Sequence, residues 1–268
     1  MVRTRVDWLT SALWTGGSLV FLFIYLPLAV VLVYAFHDSR IVAWPFQPFT
    51  LHWFTDLAHD RGMLDAALAS LKLALLSVAI ALTVGVPGAF LLDRSEFPGK
   101  EAFRRLVLLP LILPGIITGV ALLSFFSYVG LSLSSGFPLV PGWPVVIGHG
   151  AALTSVVVTQ VFARLQRLDR AQEEASQDLY ADEWRTFWHV TFPNIRTALL
   201  GAALLVFTLS LDEIAVTFFL IGRQNTLPLQ IWGLLRRGIT PEVNAAAAVI
   251  FLLSVGVIVA SARLMRDD

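Results

Sequence analysis

Six long apolar stretches, with most of the charge confined to the gaps between them, constrain this chain more than any other feature. They run about Leu13–Phe36, Ala66–Leu92, Leu106–Val129, Trp143–Ala163, Ala198–Ile221 and Val243–Leu264. Each is near the length of about 20 residues that a helix needs to cross the hydrocarbon core. Open strands would leave backbone groups unpaired in lipid, and the stretches lack the short alternating pattern of a barrel. The expected fold is an all-α membrane protein with six transmembrane helices, forming one transmembrane domain over residues 1–268. Composition excludes the soluble alternatives: 57% of residues are hydrophobic, 14% are charged, and the mean hydropathy is +0.75. Soluble domains carry roughly 45–50% apolar and about 25% charged residues.

Arg3 and Arg5 precede the first stretch as they would precede a signal peptide. Its apolar run is too long for one and ends without a small-residue cleavage site, so it reads as a retained helix. Orientation follows from the basic residues. With the N-terminus inside, thirteen Lys and Arg fall in inner segments and five (Arg40, Arg61, Arg223, Arg236 and Arg237) in outer ones. This excess puts both termini in the cytoplasm. The uncharged loop near Gly130–Gly142 suits the outer side, and Trp8, Trp14, Trp143 and Trp232 fall near span ends, where indoles prefer the interface.

Several residues shape the spans. Pro27, Pro87, Pro110 and Pro114 each remove a backbone donor and tend to kink a helix. Gly85, Gly88, Gly115, Gly119 and Gly201 allow helices to approach closely. Thr240-Pro241-Glu242 has the makings of a helix start for the sixth span.

Chemistry is scarce. There is no Cys, which removes thiolate ligands and nucleophiles. No Gly-rich phosphate loop, zinc-ligand spacing or nucleophile elbow is present, so no catalytic residue, metal site or resident cofactor is expected. Basic and acidic residues number 19 each, so net charge offers no argument for a nucleic-acid partner. A chain like this moves solute with ATP only if another chain binds and hydrolyses the nucleotide.

The inner loop between spans four and five, residues 164–196, carries more structure than a linker. Ala171, Ala175 and Leu179 recur at four-residue spacing, an apolar stripe on a first short helix. Arg170 and Glu174 stand four apart on another face. Asp182 is placed to cap a second short helix, on which Trp184, Phe187 and Trp188 form one large aromatic face. Pro193 is expected to stop that helix before the fifth span. Two stubby amphipathic helices, one bearing bulky rings, suit insertion into a groove.

Glu174-Ala175-Ser176, followed by Tyr180 and by Phe192-Pro193, resembles the "EAA" loop of ABC importer permeases. Two positions depart from the family pattern: Ser176 stands for the second Ala, and Tyr180 for the Gly that permits a positive-φ turn. Leu209–Gly222, Asn225–Trp232 and Gly238–Ala245 are similar to the spermidine/putrescine branch of those permeases. The resemblance implies a type I importer permease fold in a bacterial inner membrane, with the loop as the coupling region that docks on an ATPase. Glu173, Glu174, Ala175, Ser176, Leu179, Tyr180, Asp182, Trp184, Phe187 and Trp188 would form that region. The implied partners are a second homologous permease, two ATPase subunits that bind ATP and Mg, and an extracytoplasmic solute-binding protein.

Asp212 and Glu213 lie within the fifth span. A carboxylate at depth costs on the order of 2.5–3.5 kcal/mol, so it ordinarily faces a partner or water. With Thr208 nearby, they are candidates for a path that attracts an organic cation. The alternative roles are an ion pair with Lys72 or the capping of a helix break. His149 is expected to be a neutral histidine packed in the bundle. A proton-coupled secondary transporter using Asp212 or Glu213 is the rival function, although the inverted repeats usual there are not visible. An intramembrane hydrolase would need a second carboxylate from another span, and none is present.

Overall fold

The computed structural model describes residues 8–39, 46, 49–133, 142–236, 238 and 240–264. Most of the uncharged loop (134–141) and Arg3, Arg5, Arg40, Arg237 and Arg266 of the charge count lie outside the described residues. Among the described residues the secondary structure is helical, apart from an isolated bridge between His37 and Phe49. The chain divides into two compact units, Met1–Arg61 with Ile231–Asp268, and Gly62–Gln230.

In the first unit, α1 (Trp8–Tyr34) runs through Pro27 without a break and exposes nearly its whole length. A short helix, α2 (His52–His59), turns Trp53 inward, where its indole nitrogen donates to the His37 carbonyl at 2.8 Å. Trp53, Ala35, Ala245 and Ala248 form a small core with Phe36, Phe54 and Leu57 against it. The last long helix of this unit, Pro241–Leu264, starts as its sequence suggests. Pro241 opens it, where a missing N–H costs nothing, and the Thr240 carbonyl accepts from Val243 and Asn244.

The second unit holds α3 (Arg61–Arg94, from its second residue), α4 (Lys100–Ile112), α5 (Gly115–Tyr128), α6 (Trp143–Leu165), α7 (Ala171–Asp178) and α8 (Glu183–Thr186). A π-helical turn (Phe187–Thr191) leads into α9 (Phe192–Asp212), and α10 (Ala215–Leu220) follows it. The chain then enters α11 (Leu227–Leu235). Two cores stack along α3. One joins Ala81, Ala89 and Leu92 to Val157, Val161 and Leu165 of α6 and to Ile195, Ala202 and Val206 of α9. The other joins Leu73 to Phe126, Val145, Val146, Val216 and Leu220. Small residues permit this closeness: a Cβ on Gly85 would lie 2.7 Å from Val157 Cβ, and one on Gly119 would lie 2.7 Å from the Phe219 ring. Gly201, by contrast, faces open space and marks no helix contact.

Among the described residues, four helical runs are long and apolar enough to cross a bilayer: Thr10–Tyr34, Arg61–Arg94, Trp143–Leu165 and Glu183–Asp212. The expected third span is two helices, α4 and α5, bent by 110°. The break falls where Leu113 and Pro114 turn extended (ψ 135° for both), because a residue before proline is pushed out of the helical region. Pro87 and Pro110 stay inside continuous helices. The apolar part of the last helix is Pro241–Gly256.

Candidate functional site

The end of the second unit where α3 and α6 finish carries the 164–196 loop, folded as a helical hairpin. Asp169 accepts from the Ala171 N–H at 3.0 Å and starts α7. Glu173 and Glu174 sit in its first turn, where the helix dipole favours negative charge. The turn after α7 is closed by two hydrogen bonds, Ala181 N–H to Ser176 O at 3.1 Å and Tyr180 N–H to Gln177 O at 2.8 Å. This pairing is the left-handed helix stop that glycine ordinarily provides. Tyr180 adopts it with φ 64°, the only positive φ at a non-glycine residue among those described. A side chain there costs roughly 1–2 kcal/mol. The left-handed turn that a glycine would allow is thus present with a tyrosine in it, and strain at Tyr180 is the consequence of its residue type.

Asp182 caps α8, accepting from the Arg185 N–H at 2.8 Å, as its position suggests. Ser176 and Thr186 hydroxyls meet at 3.1 Å and tie the two helices together. Pro193 does not stop the second helix. The chain passes through the π turn, where Phe192 N–H bonds Phe187 O, and continues as α9. The widened turn accommodates a proline whose ring would clash with the carbonyl four residues back. Ala171, Ala175 and Leu179 all face outward, so the predicted stripe is real and uncovered. Leu179 is 83% exposed, Tyr180 95% and Trp184 69%. Trp184 and Trp188 pack edge to face at 5.6 Å, while Phe187 turns inward against Phe90 of α3 at 6.0 Å. Glu174 is exposed beside this patch.

Glu173 behaves differently from Glu174: it is buried, and one of its carboxylate oxygens accepts from Arg94 at 2.5 Å and from the Thr191 hydroxyl. Arg94 lies 3.9 Å from Asp93, whose own carboxylate accepts from Gln166 at 2.5 Å and pairs with Arg170 at 3.5 Å. Arg170 therefore pairs with Asp93 of α3, not with Glu174 one helical turn away. Burial opposes ionisation of Glu173 most strongly. Hydrogen bonds from Arg94 and Thr191, with the charges of Arg94 and Arg170, outweigh it and hold the carboxyl below its ordinary range. Sequence reasoning missed Asp93 and Arg94 because their partners are more than 70 residues away, beyond any local spacing rule.

Deeper in the unit, the fifth span is broken at the two acids. α9 ends at Asp212, and Glu213 is extended, with φ −74° and ψ 118°. The Glu213 carboxylate caps α10, accepting from the Val216 N–H at 2.8 Å, and its carbonyl accepts from the Thr217 hydroxyl at 2.8 Å. This realises the helix-break role, and among the described residues no ion pair joins Lys72 to either acid. Asp212 is exposed, with no hydrogen-bond or ion-pair partner among the described residues. Thr208 is also exposed, its hydroxyl donating to the Leu204 and Leu205 carbonyls of its own helix. His149 is buried, as expected, and bonds Ser210 of α9 and Thr217 of α10, both at 2.9 Å. Ser77 of α3 lies 3.4 Å from Ser210.

The family described as "Binding-protein-dependent transport system inner membrane component" matches residues 81–266. The putrescine transport system permease protein PotI of Escherichia coli (strain K12) is 34% identical over 241 residues, covering 89% of this chain and 84% of that protein. The spermidine/putrescine transport system permease protein PotC of Haemophilus influenzae is 31% identical over 251 residues, covering 93% and 94%. A chain of the bacterial alginate ABC transporter in complex with alginate pentasaccharide-bound periplasmic protein superposes with a TM-score of 0.70 at 18% identity. That superposition covers 94% of this chain and 91% of the other, and it speaks for the fold alone.

Proposed function

This chain belongs to the family of binding-protein-dependent transport system inner membrane components, and from that premise we propose that it is the membrane-spanning subunit of an ATP-driven ABC importer for polyamines such as putrescine and spermidine. It is a multi-pass inner-membrane protein with an all-α fold of the type I importer kind. It performs no chemistry itself. ATP and Mg are bound by a separate ATPase, and the whole chain acts as one permease domain with both termini in the cytoplasm. A second homologous permease, two ATPase subunits and an extracytoplasmic receptor complete the assembly.

The observation that carries this reading is the uncovered apolar face of the 164–196 hairpin. Leu179, Tyr180, Trp184 and Trp188 are all exposed on the hairpin, with the two indoles packed on each other, and Glu174, Asp182 and Glu183 are exposed along the same short segment. Bulky apolar side chains left exposed together on so short a segment suit a partner site. An aromatic knob with a polar rim suits a cleft on an ATPase, and Glu173, Ala175, Ser176 and Phe187 set its shape from beneath and beside. Closure of the ATPase pair moves the hairpin, and the spans rock between inward- and outward-open states with different affinities for solute. Along the path, Asp212, Glu213 and Thr208 mark the cation's route. Asp212 supplies the free negative charge, while Glu213 shapes the break beside it.

Co-purification with its cognate ATPase and receptor, followed by ATP hydrolysis measured with and without putrescine and spermidine, tests the partners and the solute together. An ATPase that does not bind, or hydrolysis indifferent to both polyamines with an active receptor, would defeat this reading.

A further inference from the structure

Motion of the hairpin has two routes into the membrane. The first is covalent: α8, the π turn and α9 are one continuous helical run. The second runs through side chains. Glu173 is the node, since the same carboxylate oxygen meets Arg94, the last residue of α3, and Thr191 in the π turn. Alternating charges extend this node from Arg94 to Asp93 and Arg170, and Gln166 closes it onto the end of α6. The two carboxylates are almost fully enclosed, at 7% side-chain exposure for Glu173 and 4% for Asp93. A buried carboxylate is held where its donors are, because losing them leaves a charge without compensation.

We propose that Arg94 and Glu173 are positioning residues that make α3 a second driven helix, so that the hairpin, the adjoining end of α3 and the start of α9 move as one body during transport. This rests on the reading of the hairpin as the ATPase-docking element. The apolar packing supports it, since Ala89 and Leu92 of α3, the helix that carries Asp93 and Arg94, share a core with Val161, Leu165 and Ile195. The far end of the route is also built. Ser77 of α3 contacts Ser210 of α9, and His149 links Ser210 to Thr217 across the break beside Asp212. Ser77 lies about 25 Å along α3 from Arg94 at about 1.5 Å per residue. A push at Arg94 therefore reaches the broken span from a second side.

The test uses the assembled transporter in proteoliposomes, with putrescine uptake and ATP hydrolysis measured together. Arg94→Gln should leave the ATPase bound and hydrolysing while uptake per ATP falls by about 2- to 30-fold, and Arg94→Lys should recover part of the loss. The chain has no Cys, so Arg94→Cys with Glu173→Cys accepts a reductively cleavable thiol cross-linker in a clean background. If the two segments move together, the linked transporter keeps its uptake per ATP. Loss of uptake on linking that reverses on cleavage would show that the hairpin slides over α3 and would overturn the inference, as would unchanged coupling in Arg94→Gln or failure of the link to form. A wild-type chain that retains no ATPase would instead overturn the underlying reading, and the inference with it.

Discussion

His149 Nε2 lies 2.9 Å from Thr217 Oγ1, so a ring carried by α6 grips the short helix beyond the break in the fifth span. The hydrogen-bond pattern assigns its tautomer. Thr217 spends its own hydrogen on the Glu213 carbonyl, so it accepts the Nε2–H; a neutral ring then leaves Nδ1 as an acceptor, and Ser210 gives its one hydrogen to Nδ1 at 2.9 Å in preference to Ser77 Oγ at 3.4 Å. Neutral histidine thus satisfies both halves of the span at once.

Removing that ring should loosen the break. His149→Ala leaves two buried hydroxyls short of a partner and opens a cavity, a loss of about 2 kcal/mol or more. The melting temperature of the purified chain in detergent should fall clearly, and His149→Gln, which retains polar contact, should fall less. Equal melting of all three proteins would show that the ring contributes nothing to the break.

The two intramembrane acids should separate by charge. Glu213 needs only an acceptor to cap Val216, and a glutamine supplies one. Glu213→Gln should therefore transport putrescine much as wild type does, whereas Glu213→Ala should lose uptake. Asp212→Asn removes the free charge and should raise the half-saturating putrescine concentration about tenfold, the scale of one charge-assisted hydrogen bond. Uptake assays with expression checked decide this; unaltered affinity in Asp212→Asn would remove it from the path.

At the hairpin tip, stability and docking should come apart. Trp184 is 69% exposed, so Trp184→Ala should change the stability of the isolated chain by no more than about 0.5 kcal/mol. As an aromatic anchor it should cost about 2 kcal/mol or more of ATPase affinity, roughly 30-fold. Tyr180→Gly relieves the left-handed backbone at φ 64° and should raise the melting temperature slightly while weakening ATPase retention. Titration of the ATPase onto nanodisc-embedded variants measures both losses.

Glu173 should make the hairpin acid-sensitive. Its folded carboxyl is held below the ordinary value of 4.5, so its contribution is present above that value and is lost as pH falls through the lowered one. Hydrogen exchange in α7 should accelerate at the acid end of that window. Glu173→Gln should exchange faster at neutral pH and lose the pH dependence; an identical acid response in the variant would assign the effect to another group.

The apolar run lengths alone called for helices, because lipid offers no partner for an unpaired backbone. Local spacing also revealed the hairpin, its Asp182 cap and its aromatic face, since these depend on residues three and four apart. The left-handed turn was visible as an unusual Tyr180 in a glycine place, although only the fold decided that the turn survives with tyrosine in it. Three features were decided by tertiary structure: the pairing of Glu173 and Arg170 with α3, the passage of the helix through Pro193, and the division of labour between Asp212 and Glu213. Each turns on which helix end lies beside which. That adjacency is set by packing of Leu92, Val161 and Ile195 across segments distant in the chain, and no spacing rule along a single helix encodes it.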